Sequence, residues 1–180
     1  MTSRNAGSGP RSNRYSASKF SNWSTFDPFW GEVQATLKRF DSKISRRPEH
    51  AKVIFLPPAR HFAHPCSEAD IHAKLDTVPS EFLSGLRAIF MLSGSKKQLR
   101  SLDSALACSG TYWNNCIFLH PSLTSSLDSI KDSTRTFYLD DVLIHEIGHH
   151  VDRARESDLK TKEGFADWFA IEHGSRTATA

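Results

Sequence analysis

Apolar positions along this chain follow two rhythms, and the change between them marks out its elements. Towards the C-terminus, Leu139, Leu143, Ile147 and Val151 recur every fourth residue. That spacing keeps side chains on one face of a helix, so residues 136–153 are predicted as an amphipathic helix. Asp140 and Asp141 fall in its first turn, where the helix dipole favours acids. A charged loop follows, and a last helix is expected from about Thr161 to Ile171, burying Phe165, Ala166, Phe169 and Ala170. Near the other end, Phe29, Val33, Leu37 and Phe40 predict a helix over residues 28–46. Asp27-Pro28 supplies its start signal and Pro48 its stop.

Between these helices the apolar runs are short and closed by breakers, as strands are. Residues 52–56 end at Pro57-Pro58, and residues 86–92 lie between Gly85 and Gly94. Residues 111–113 and 116–120 flank Asn114-Asn115, a tight-turn pair, with Pro121 beyond. The stretch 59–78 reads as loop with a short helix around 67–75, and 96–102 as a short helix or turn. No internal repeat is visible. Helix, strands, then two helices predict an α+β fold, with a mixed or mainly antiparallel sheet packed on helices.

Composition adjusts this picture at its ends. A chain of 180 residues suits one domain. Residues 1–24, rich in Ser, Asn, Arg and Gly, read as a disordered basic tail, leaving 25–175 as the domain. The tail carries Arg4, Arg11, Arg14 and Lys19 and no acid. Of the net charge of +3, the tail accounts for +4, and the rest of the chain holds 19 basic against 20 acidic residues. The domain therefore has no excess of positive charge for a nucleic-acid face, and such a partner would have to work through the tail. No apolar run approaches the roughly 20 residues of a membrane span. No secretory signal is visible, which predicts a cytoplasmic protein, with leaderless export the other route. Three cysteines, Cys66, Cys108 and Cys116, make no disulfide framework. Packed free thiols are expected, with a Cys108–Cys116 bridge across the hairpin as the alternative.

The chemistry concentrates at Ile144-His145-Glu146-Ile147-Gly148-His149, which contains H-E-x-x-H. Residues four apart on a helix point the same way, so His145 and His149 can grip one ion. Glu146 projects to one side, where it can reach a water on the metal without ligating it. The imidazoles lie roughly opposite the apolar stripe, so one face packs and the other opens. Chance places this motif in roughly one chain in a few hundred of this size. A catalytic zinc takes three protein ligands and leaves one position to water. Glu163 on the next helix is the best third ligand. Asp167, one turn on, is placed to hold the second ring nitrogen of His145. Gly164 and Ala166 would let that helix come close. Asp152, three residues past His149, is the competing third ligand. His150 faces the stripe and reads as a packed histidine. His61, His64, Cys66 and His72 have ligand chemistry but match no zinc module, and read as loop residues.

His145-Glu146-x-x-His149 followed by Glu163-x-x-x-Asp167 resembles the gluzincin branch of zinc peptidases, most closely its minimal single-domain members. The likeness covers residues 136–172. It implies a zincin-like fold, one zinc ion, Glu146 as general base and proton shuttle, and a peptide or protein substrate held along an edge strand. Cys116, Ile117, Phe118, Leu119 and His120, just before the active helix, are the strand it suggests. Tyr112, Tyr138 and His173 are candidates for stabilising the transition state. It also suggests latency, with Cys66 or the N-terminal segment covering the zinc. The reading is a zinc endopeptidase; the alternative is a non-catalytic zinc-binding regulatory or interaction domain that keeps the fold.

Overall fold

The computed structural model describes residues 27–46, 49–58, 63–93, 109–120, 132–154 and 158–174. The tail at 1–24 and the element expected at 96–102 lie outside them. Four short strands build the sheet: β1 (Lys52–Phe55), β2 (Ala88–Met91), β3 (Gly110–Trp113) and β4 (Cys116–Leu119). Their order is β1-β2-β4-β3. β1, β2 and β4 run parallel, and β3 pairs antiparallel with β4. The sheet is thus mixed and the class α+β.

β2 and β4 are buried at every position. Strands covered on both faces read as unbroken apolar runs rather than alternating ones. This corrects the placing of residues 116–120 at the sheet edge. β4 lies between β2 and β3, and the edge nearest the helices that follow is β3, where Gly110 is buried and Trp113 exposed. The turn between them came out as expected. Asn114 and Asn115 have φ of 50° and 57°. Two left-handed residues in a row suit a type I′ turn, and asparagine tolerates that region better than most residues.

Helices cover both faces. α1 (Asp27–Phe40) lays Val33, Leu37 and Phe40 against Ala88, Phe90, Leu92 and Phe118. The rings of Phe90 and Phe118 stack at 5.0 Å between centroids. The opposite face, with Val53, Ile89, Met91, Ile117 and Leu119, packs on the other helices. α2 (Glu68–Leu75) starts at a capping box, in which Ser67 and Asp70 each accept the other's backbone N–H. α3 (Ser80–Leu83) is a single turn.

The helix expected at 136–153 is longer and less regular. α4 (Asp132–Thr136) runs into a π-helical stretch, Phe137–Leu143, and then into α5 (Ile144–Val151). A strict four-residue repeat is slightly long for 3.6 residues per turn, and a wider π turn absorbs the excess. α6 (Leu159–His173) follows, with Asp158 Oδ1 accepting the Thr161 N–H at 2.8 Å. No helix among the described residues is long and apolar enough to cross a membrane.

Candidate metal centre

α5 carries His145, Glu146 and His149; α6 carries Glu163 and Asp167. The two helices approach at a glycine. A Cβ on Gly148 would fall 2.8 Å from Ala166 Cα and 3.1 Å from Phe169 Cβ. Ala166 is fully buried, as expected. Gly164, expected to share this role, instead faces open space, with nothing within 4 Å of where its Cβ would be. The residue missed was Gly148, inside the motif itself.

The contact brings three donors together. His145 Nε2 and His149 Nε2 are 3.1 Å apart. Glu163 Oε2 is 3.4 Å from the first and Glu163 Oε1 3.4 Å from the second. Two imidazole nitrogens and a carboxylate converging in this way could hold a metal ion. Asp167 Oδ1 lies 3.2 Å from His145 Nδ1. That contact fixes which ring nitrogen carries the proton and leaves Nε2 facing the centre. Asp152 is buried but is not part of the group.

The charges at this point are strongly coupled. Burial works against a charged His145, but the Asp167 and Glu163 carboxylates on its two nitrogens outweigh it and hold the ring up at about 10. Burial pushes His149 down to about 4, against the pull of Glu163. Glu146 is 6% exposed, and burial lifts it to about 7, with Glu163 adding to the rise and His145 and the Tyr112 backbone opposing it. A carboxyl poised there can take up and release a proton near neutrality.

Other candidates are placed elsewhere. Tyr138 is buried and its hydroxyl donates to the His120 carbonyl at 2.6 Å, a link from the π turn to the end of β4. The Tyr112 hydroxyl donates to Asn115 Oδ1 at 2.7 Å and lies 3.1 Å from His150 Nδ1. His173 packs on Phe169 and Phe82, about 15 Å further along α6 than Glu163 at helical rise. The contacts of these three side chains are thus to His120, to Asn115 and His150, and to Phe169 and Phe82. His150 is fully buried and donates through Nε2 to the Ser84 carbonyl at 3.0 Å, as a packed histidine should.

Among the described residues the second histidine group does not assemble. His64 bonds the Leu56 carbonyl at 2.8 Å, and His72 is exposed beside Glu68. His61 lies outside the described residues. Cys66 and Cys116 are buried free thiols, and Cys108 lies outside the described residues. Cys66 packs in the core, where burial pushes its thiol up to about 12. Cys66 is a core residue outside the donor group, so the expectation that it covers the ion is dropped; the N-terminal segment lies outside the described residues. Comparison with known proteins adds no relative: no family model, no curated protein and no solved structure matches this chain.

Proposed function

We propose that the chain is a zinc peptidase of the gluzincin type, with His145, His149 and Glu163 as ligands. One observation carries this reading. Zinc bonds to nitrogen and oxygen of about 2.0–2.1 Å, at tetrahedral angles, set neighbouring donors about 3.3–3.4 Å apart. The two imidazole Nε2 atoms are 3.1 Å apart, and each lies 3.4 Å from a different oxygen of Glu163, so a ligand atom from each of the three residues lies within 4.8 Å of the others. This convergence of two imidazoles and one carboxylate supports a single ion held between the two helices.

Zinc on this set supplies Lewis acidity, which lowers the pKa of water and polarises a peptide carbonyl. The rest falls to the chain. Asp167 orients His145. Glu146, lifted to about 7 by burial, takes the proton from the attacking water and delivers it to the departing nitrogen. An extended substrate would lie beside β3, where Glu146 sits over Gly110. The other reading, a zinc-binding domain without catalysis, gives no chemical role to a buried carboxyl that follows a proposed ligand in sequence and is lifted to about 7.

Glu146→Gln separates the two. Hydrolysis of unfolded casein should vanish while zinc stays at about one per chain. Equal hydrolysis by wild type and variant removes Glu146 from the chemistry. Wild-type chain that takes up no zinc, or His149→Ala and Glu163→Ala chains that take up as much as wild type, removes the metal site itself.

A further inference from the structure

Antiparallel strands alternate between residue pairs that exchange both main-chain hydrogen bonds and pairs that exchange none. The His120 N–H donates to the Ser109 carbonyl at 2.9 Å. The register then pairs Gly110 with Leu119, Thr111 with Phe118 and Tyr112 with Ile117. Thr111 is therefore in a bonded pair, and the main-chain groups of Gly110 and Tyr112 point away from β4, along the open edge. Such a donor ordinarily goes to water or to an added strand.

Here a side chain from α5 meets it. The Glu146 carboxylate accepts from the Tyr112 N–H. It also lies so close over Gly110 that a Cβ there would fall 2.7 Å from Glu146 Oε1 and 2.8 Å from Glu146 Cγ. Val142 Cγ1, one turn earlier, would stand at 2.8 Å as well. Any residue but glycine at 110 would force Glu146 or Val142 aside. A glutamate has three rotatable bonds, and a base is useful only when its oxygen stays within hydrogen-bond reach of one proton.

We propose that the edge strand seats the base: Gly110 gives the space and Tyr112 the amide that hold the Glu146 carboxylate in place. Both are positioning residues, and the inference rests on the peptidase reading above. Gly110 acts by having no side chain, and Tyr112 acts through its backbone while its ring is tied to Asn115 and His150.

The test uses the zinc-loaded full chain and reads amide hydrogen exchange at Tyr112, with Thr111 as the internal control. Glu146→Ala should speed exchange at Tyr112 by about tenfold or more and leave Thr111 within about twofold. Gly110→Ala should do the same, because it displaces the carboxylate. On a quenched fluorogenic peptide cleaved by wild type, Gly110→Ala should lower kcat about tenfold or more, keep KM within about threefold, and keep one zinc per chain. Exchange at Tyr112 that ignores Glu146→Ala overturns the seat, as does equal acceleration at Thr111, which would mean the hairpin had merely loosened. Should Gly110→Ala not fold, the Glu146→Ala exchange still decides. Active wild type with an unprotected Tyr112 refutes the seat alone. Zinc-loaded wild type that cleaves nothing refutes the peptidase reading, and with it any positioning of a base.

Discussion

Gly148→Ala tests whether the helix contact, rather than the motif alone, makes the metal centre. In an unobstructed helix the change stabilises by about 0.5–1 kcal/mol, because glycine gives up more backbone freedom on folding than alanine. Here the new methyl would lie 2.8 Å from Ala166 Cα, 3.1 Å from Phe169 Cβ and 3.3 Å from Ala166 Cβ. Comfortable carbon contacts are about 3.5–4.0 Å, so the nearest must open by about 0.7–1.2 Å. Ala166 Cα is backbone and has no rotamer to yield, so α6 must move as a body. Overpacking of this kind costs about 1–3 kcal/mol, and set against the helix gain it leaves a net loss of up to about 2.5 kcal/mol. Glu163 rides on α6 one turn before Ala166. A metal site tolerates about 0.2 Å in its bonds, so the same shift should weaken zinc binding at least about tenfold. Two assays read the two parts. Thermal unfolding in chelator gives the packing loss without metal, and competition with a chromophoric chelator gives the zinc affinity. A higher unfolding midpoint in chelator together with unchanged zinc affinity would refute the reasoning, because it would mean that this contact sets neither the packing nor the ligand geometry.

Asp167→Asn should keep the fold and weaken zinc binding by about 10- to 100-fold, through loss of the carboxylate that holds His145 Nδ1; affinity equal to wild type in the same competition assay would remove Asp167 from the site. Acid should unfold the chain in part through His120, which burial pushes down to about 3. It stays neutral in the fold, while the unfolded chain binds its proton near 6.5, so its contribution is lost as pH falls below about 6.5, at about 1.4 kcal/mol per unit. His120→Gln should flatten the stability curve by about that slope between pH 4 and 6, and parallel curves from chemical denaturation would contradict it.

What the residues themselves made legible is what depends on local spacing. His145 and His149 at four apart share a helix face whatever the tertiary fold, and Glu163 and Asp167 repeat that relation on the next helix. Asn114-Asn115 announces its own turn. Sheet order is different in kind. β4 precedes the helix with H-E-x-x-H in the chain, which invited placing it at the edge, but strand position is decided by packing with segments far away. The sign that was present is the unbroken apolar run Cys116-Ile117-Phe118-Leu119, which belongs inside a sheet. Tyr138 looked available because a hydroxyl's partner, here the His120 carbonyl, cannot be read from spacing. Gly110 and Gly148 were missed for a related reason: the value of an absent side chain appears only when its neighbour is in place.

Those two glycines suggest how the site is tuned. Residues 146 and 148 project from nearly opposite sides of α5, so Glu146 faces β3 while Gly148 faces α6. On one side Gly110 lets the Glu146 carboxylate come in; on the other Gly148 lets the helix that carries Glu163 come in. They share no neighbour among the atoms a methyl would strike: Glu146 and Val142 for the first, Ala166 and Phe169 for the second. The two substitutions should therefore divide the function cleanly, Gly110→Ala lowering kcat at constant zinc affinity and Gly148→Ala lowering zinc affinity. Combined, their effects on folding stability should add within about 0.5 kcal/mol, as they do for sites that do not touch. A coupling well above that would mean that α5 itself tilts in response to either methyl, and that base and ligands are set by one adjustable helix rather than by two independent contacts.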